Sequence, residues 1–331
     1  MNSPKISVII PVYNGERYIK QCLDSLINQT FQDFEIICIN DGSTDNSLGL
    51  LQQYSNEDKR IKIINRQNAG PAEARNKGID IATGDYLSIL DCDDFFDLDM
   101  FESLYNHAIK YDTDITLCGA RTFDDKTKVF KNINNIKFEL LPDKEVFSAR
   151  DVAKHIFQLD INWCWDKLYK ASFVKQNNFL FQRTKVHDDT FFATYSLTKS
   201  ERISVLDKIL CTYRVNVDTS ATARSKRMKY PMSFYEALVF LREHLIKDNT
   251  FEIFKKSFAN FAMDIFYGYY KAVNVDFKSA FIDNLDIKGF KRSDFINFKY
   301  YMLYVILSQK PLIILSTVFL PLVLIIKKII R

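Results

Sequence analysis

Glycine and proline are scarce, nine and seven in 331 residues, which leaves no room for repeats or long flexible linkers. No G-x-G-x-x-G follows the first apolar run, and this counts against a dinucleotide-binding oxidoreductase. The six cysteines (Cys22, Cys38, Cys92, Cys118, Cys164, Cys211) form no C-x-x-C pair. Most lie inside apolar runs, as buried thiols of a reducing cytoplasm do. The chain enters Ile6-Ser7-Val8-Ile9-Ile10 without a basic segment or a cleavage site, so no signal peptide is expected. A net charge of +4, small and scattered, excludes nucleic acid from the expected partners. Nothing in the composition bears on oligomeric state.

What is present is the mixture of a folded globular protein, 47% apolar and 26% charged. Phenylalanine and tyrosine are frequent, 28 and 17, and crowd into the second half. The most apolar run is Pro311 to Ile326, followed by Lys327, Lys328 and Arg331. Spanning a bilayer takes about 20 apolar residues, so an in-plane or re-entrant anchor at the cytoplasmic face is expected, with a buried core helix as the alternative.

The first half alternates strand and helix. Ile6–Val12 is an unbroken apolar run, as a strand buried on both faces should be. Tyr18, Ile19, Cys22, Leu23, Leu26 and Ile27 then repeat at helical spacing, with Asn14 placed to cap them. Phe34–Ile39 is a second strand, and Ser43 or Thr44 is placed to cap the next helix. Ile61–Ile64 is a third strand, Gly70-Pro71 opens a helix to about Ala82, and Tyr86–Leu90 is a fourth strand running into Asp91. Short connections of this kind predict an α/β fold, a mostly parallel sheet with helices on both faces. Ligands bind outside the carboxyl ends of such strands. The polar clusters fall at those ends: Tyr13-Asn14, Asp41, Asn65 to Asn68, and Asp91 to Asp94.

Beyond Asp99 the pattern is mixed. It predicts a helix over Met100–Tyr111 and a strand over Asp114–Cys118, then a capping box at Ser148-x-x-Asp151 opening a helix to Phe157. Strands follow near Ile203–Leu206 and Ile209–Val215, and a domain boundary near residue 222. Past it the chain is helical and aromatic, as at Phe234 to Leu245 and Phe251 to Tyr270.

Three carboxylates within Asp91-Cys92-Asp93-Asp94 repel one another unless a cation is present. Hard oxygen ligands suit Mg²⁺ or Mn²⁺, shared with a diphosphate; an acidic helix N-terminus is the other reading. Asp41 either accepts a hydrogen bond from a base or sugar, or shapes its turn. Arg75 is either a bidentate phosphate ligand or an exposed helix arginine. His187-Asp188-Asp189 opens an apolar helix, where a carboxylate serves as a general base or as a cap, and His187 is a metal-ligand candidate. Trp163 and Trp165 suit sugar stacking or core packing.

Taken as an ordered set, Pro11-Val12-Tyr13-Asn14, Asn40-Asp41-Gly42-Ser43-Thr44-Asp45, Asn68-x-Gly70, Ala74-Arg75-Asn76-x-Gly78 and Gly84-Asp85-Tyr86 leading to Asp91-x-Asp93-Asp94 resemble glycosyltransferase family 2. Trp165-x-Lys167-Leu168-Tyr169, Asp188-Asp189, and Tyr213-Arg214 with Ser220 extend the resemblance to about residue 222. It implies a GT-A type fold and inverting transfer from a nucleotide sugar, usually a UDP-sugar. By position, Pro11, Tyr13, Asn14, Asp41, Gly70, Arg75, Asp91, Cys92, Asp93 and Arg214 would line the nucleotide-sugar site. Asp93 and Asp94 would hold Mn²⁺ or Mg²⁺, and Asp189 would be the catalytic base. The family usually has glutamate where Asp188 stands, and often aspartate at Asn40. The expected organisation is a catalytic domain over 1–222 (nucleotide-sugar binding in 1–98, acceptor side in 99–222), a helical region over 223–310 and an anchor over 311–331. The expected acceptor is a saccharide, lipid-linked at the inner membrane, in the synthesis of a bacterial surface polysaccharide, lipopolysaccharide or capsule. A sugar-nucleotide-binding scaffold without transfer activity is the alternative.

Overall fold

The computed structural model describes residues 3–184, 187–217, 232–269 and 290–295. Its first part is the predicted alternation: β1 (Ile6–Val12), α1 (Ile19–Ile27), β2 (Phe34–Asp41), α2 (Ser47–Glu57), β3 (Ile61–Arg66), α3 (Pro71–Ile81) and β4 (Tyr86–Ile89). The four strands lie parallel in the order β3-β2-β1-β4. Alternation along β1 explains why its run is unbroken. Ile6, Val8, Ile10 and Val12 pack on one side with Leu23 and Leu26 of α1, while Ile9 faces the other side with Ala74 and Ile79 of α3. A side chain at Gly78 would lie 2.3 Å from Ile9, so glycine there lets α3 approach the sheet.

The second part turns the sheet mixed. β5 (Phe95–Phe96), α4 (Met100–Tyr111), β6 (Ile115–Asp124), β7 (Phe130–Asn132), β8 (Lys167–Lys170), α5 (Ala171–Gln176), α6 (Asp188–Lys199) and β9 (Ile203–Val215) follow in order. β8 runs antiparallel beside β4, and the sheet continues β8-β6-β9-β5, with β7 paired to β6. Two further helices, α7 (Met232–Lys247) and α8 (Phe251–Tyr269), extend the core formed by α6 and the sheet face that carries Ile9. The architecture is the expected GT-A type α/β fold with helices at its C-terminal end.

Several local expectations differ from the structure. Asn14 does not cap α1, whose N-cap is Tyr18, and α2 begins after Asn46 rather than at Ser43 or Thr44. Those side chains are spent between loops instead. The Ser148–Asp151 hydrogen bonds form, but only turns and a 3₁₀ segment, Ile156–Gln158, follow them. A capping box satisfies one end of a helix and does not propagate it. The two strands expected between residues 203 and 215 are one, β9, whose pairing with β6 slips near Gly119. All six cysteines are free, and five are buried. Among the described residues no helix is long and apolar enough to cross a membrane; the boundary near 222 and the run 311–326 lie outside them.

Candidate active site

Parallel pairing brings the carboxyl ends of β1 to β4 to one edge, and their loops are stitched together there. Asn14, with φ of 51°, accepts a hydrogen bond from the Thr44 amide (2.8 Å) and donates its own amide to Ser43 Oγ (3.0 Å). The buried Asp41 carboxylate accepts the amides of Ala69 (3.0 Å) and Gly70 (2.8 Å), and Arg66 Nε lies 3.3 Å away. It therefore shapes the turn into α3, which Gly70 enters at φ of 94°, a region that disfavours other residues. Tyr13 stands 43% exposed at this edge, while Pro11 is half-buried in β1 opposite Ile39. Asn40 Nδ2 donates to Asn65, and its buried Oδ1 has no partner.

The acidic run follows β4 directly. Burial and the charge of Asp91 push the half-buried Asp93 carboxyl up to about 6. Asp94 is buried and held well above the usual carboxylate range, first by burial and then by Asp93 and Asp91. Its Oδ1 accepts the Arg214 amide (2.8 Å), and its Oδ2 is buried without a partner. Cys92, half-buried, lies against Gly15, where an added side chain would meet its Sγ at 3.1 Å.

Arg214 and Arg75 are not placed as free phosphate ligands. The buried Arg214 donates from Nε to the Asp93 carbonyl (2.8 Å), from Nη1 to Asp125 (3.1 Å) and from Nη2 to Gln21 (2.6 Å). It braces the acidic loop from behind. Arg75, packed over the Phe181 ring, donates Nη2 to Asp91 and Nη1 to Asp188, each at 2.5 Å. Burial works against its charge, but Asp188 and Asp91 hold the guanidinium ionised. The physical reason is common to both arginines: a buried guanidinium needs anionic partners, and no bound phosphate is required to supply them.

Arg75 thereby ties the loop after β4 to α6. Asp188 is buried and spent on Arg75. Asp189, next in the chain, is half-buried, and among the described residues no side chain forms an ion pair or hydrogen bond with its carboxylate, which meets its own backbone amide. Burial and then the Asp188 charge push it up to about 7, against the pull of Arg75. A carboxyl with that pKa is suited to take a proton near neutrality. His187 does not join the acidic run. It stacks on Phe234 of α7 (centroids 3.5 Å apart), and burial lowers it to about 4, so it is neutral.

Sequence reasoning missed Asp125. Burial opposes its charge, yet hydrogen bonds from Lys128 and Tyr18 hold it below the usual range. Arg17 and Arg214 also pair with it, so it anchors the arginine that braces Asp93 and Asp94. Its only signal was a second acidic pair, Asp124-Asp125, at a strand end.

Comparison with known proteins then supplies relatives. The model of "Glycosyl transferase family 2" matches residues 7–176. Glycosyltransferase GlyA of Streptococcus pneumoniae is 33% identical over 64% of this chain and 30% of its own length. The poly(ribitol-phosphate) beta-glucosyltransferase of Bacillus spizizenii is 36% identical over 61% of this chain and 31% of its own. This chain thus spans about a third of those two relatives. The crystal structure of Staphylococcus aureus TarS 1–349 in complex with UDP-GlcNAc superposes with a TM-score of 0.66 at 22% identity, covering 88% of this chain and 82% of that one.

Proposed function

The chain belongs to glycosyl transferase family 2, and we propose that it transfers a sugar with inversion from a UDP-sugar to a saccharide hydroxyl, using Asp189 as base. One observation carries this: the Asp91–Arg75–Asp188 bridge holds Asp189 beside the acidic run although about a hundred residues separate them. Residues 188 and 189 lie outside the span that matches the family model, so only the fold brings them to it.

The chemistry is a single in-line displacement. Asp189 accepts the acceptor's hydroxyl proton, that oxygen bonds to the anomeric carbon, and the bond from this carbon to the diphosphate oxygen breaks. Arg75 holds Asp91 and Asp188 in place through its two hydrogen bonds. The loops joined through Asn14, Asp41 and Gly70 shape the nucleotide's seat, with Tyr13 open to it. Among the described residues no group of three ligands stands ready to hold a metal ion. Two carboxylates completed by a diphosphate nevertheless suit Mg²⁺ or Mn²⁺, and the orphaned Asp94 Oδ2 fits that need. Asp93 and Asp94 would hold such an ion, which would supply positive charge to the leaving diphosphate.

The UDP-GlcNAc complex and the poly(ribitol-phosphate) relative support a UDP-sugar and a cell-surface polymer, and the basic apolar run at 311–331 supports a lipid-linked acceptor at the inner face of the membrane. A screen of UDP- and GDP-sugars for Mn²⁺- or Mg²⁺-dependent nucleotide release tests the proposal. Asp189→Asn should cut release by roughly 10²–10⁴-fold and leave UDP binding intact. UDP binding by the wild type with no release from any donor would leave a sugar-nucleotide-binding scaffold instead.

A further inference from the structure

The turn that joins β6 to β7 is closed by two backbone hydrogen bonds. The Lys128 amide donates to the Asp124 carbonyl (2.7 Å) and the Asp124 amide to the Val129 carbonyl (2.9 Å), with Lys128 at φ of 60°. Every residue from Lys126 to Asn132 is exposed, and the stretch holds three lysines and no acid. Val129 and Phe130, adjacent in it, are 58% and 52% exposed. Phe130 is also the outer member of an apolar cluster, its ring 4.9 Å from Phe123 and 6.2 Å from Phe95, both half-buried. Cations frame the cluster: Arg121 lies over Phe130 (5.4 Å) and Lys128 over Phe123 (5.6 Å). Single exposed apolar side chains are ordinary, but a contiguous patch rimmed by charge marks an interaction surface.

The hairpin is fastened to the acidic run. Asp125, buried in its turn, accepts hydrogen bonds from Tyr18 Oη (3.0 Å), Arg17 Nη2 (2.9 Å) and Arg214 Nη1 (3.1 Å). Arg214 donates onward to the Asp93 carbonyl and the Asp94 carboxylate, and Phe95 follows Asp94 directly. The patch therefore flanks the acidic loop, and a chain of hydrogen bonds keeps it there.

The chemistry of the patch discriminates among occupants. Among the described residues β7 pairs with β6 alone, but it is three residues long with Lys131 at its centre, a cation that blunts the addition of a partner's strand. A soluble polyanion would use the lysines and leave Val129 and Phe130 in water. An anionic bilayer uses both, since phosphates take the ammonium groups and the interface takes the apolar tips. Phe130 and Lys131 leave opposite faces of β7, so the hairpin meets such a surface with its tip.

We propose that this hairpin is a lipid-contact element. Val129 and Phe130 enter the headgroup region of an anionic bilayer, Lys126 and Lys131 meet its phosphates, and Asp125 holds the contact beside the acidic run. A sugar on a lipid carrier would then reach the acidic run at the bilayer surface; this use rests on the transfer proposed above, while the contact itself does not.

Amide hydrogen exchange of the full chain tests it, with vesicles of phosphatidylglycerol or phosphatidylcholine and neither donor nor acceptor present. Phosphatidylglycerol should slow exchange across 126–132, phosphatidylcholine should not, and added salt should reverse the effect. Lys126→Gln with Lys131→Gln should lose most of this protection, each charge being worth about fivefold in binding. Val129→Ser with Phe130→Ser should lose it too, and unchanged exchange elsewhere in both variants shows that the fold is kept. The proposal is overturned if 126–132 exchange alike with and without phosphatidylglycerol, as binding through 311–331 alone would give. Equal protection by phosphatidylcholine, or a lysine variant protected like the wild type, overturns it as well. Protection by soluble polyphosphate but not by vesicles would assign the patch to an anionic polymer instead. None of these outcomes touches the transfer reaction, which the donor screen tests separately.

Discussion

Two buried cations in this protein each hold two aspartates, and their surroundings differ in one respect. Lys167 with Asp160 and Asp166 is closed: all three side chains are 0% exposed. Arg75 with Asp91 and Asp188 is open on one side, where the Asp91 side chain is 29% exposed and the untied Asp189 follows. Buried ion pairs add little net stability over apolar packing, yet removing one partner strands the others in a low dielectric. The closed cluster is therefore a structural rivet under the tryptophan loop. The open one leaves a carboxyl over, and a buried carboxyl with a raised pKa is a candidate for chemistry.

Breaking each cation should separate the two roles. Lys167→Met strands two fully buried carboxylates and should lower stability by about 3–5 kcal/mol in urea denaturation. Arg75→Met should cost less stability, because Asp91 reaches water, while abolishing most nucleotide release. Equal stability losses from the two would undo the contrast. A smaller effect is expected at Asp125, which acts on the acidic run only through Arg214. Asp125→Asn should raise the Mn²⁺ concentration needed for half-maximal release by about tenfold, and an unchanged metal titration would remove Asp125 from the site.

The smallest effect concerns protons. Release should rise with pH through about 7, since Asp189 accepts a proton only when ionised and burial, then its neighbours, set its pKa there. The negative charge of Asp188 raises that value, and Arg75 lowers it. Asp188→Asn removes the first and frees the second, so both changes move the acid limb of the kcat profile to lower pH. A limb that stays or moves to higher pH would mean that Asp189 is not the group observed.

Much of the edge formed by β1 to β4 was legible because it is local. An unbroken apolar run such as Ile6–Val12, a proline at a helix start and an acidic run at a strand end announce themselves within a dozen residues, and β1 to β4 follow from them. The errors came where a polar side chain had two uses. Asn14 and Ser43 looked like caps, but another loop took them; Arg75 had an exposed helix arginine as one reading, but it is buried against Asp188, 113 residues on. Short strands such as β5 and β8 carry too little pattern to be seen without their partners.

The order of the first strands and helices, the edge at which the polar clusters gather and the family were in the sequence itself, since periodicity and motif spacing are properties of neighbours along the chain. Which aspartate is spent and which is left over was not. Asp188 and Asp189 are the same residue side by side, and only packing decided that one meets Arg75 while the other remains untied. The same holds for Trp163 and Trp165: identical side chains two positions apart, one the floor of a stack and the other its surface, because burial is set by what lies across the sheet.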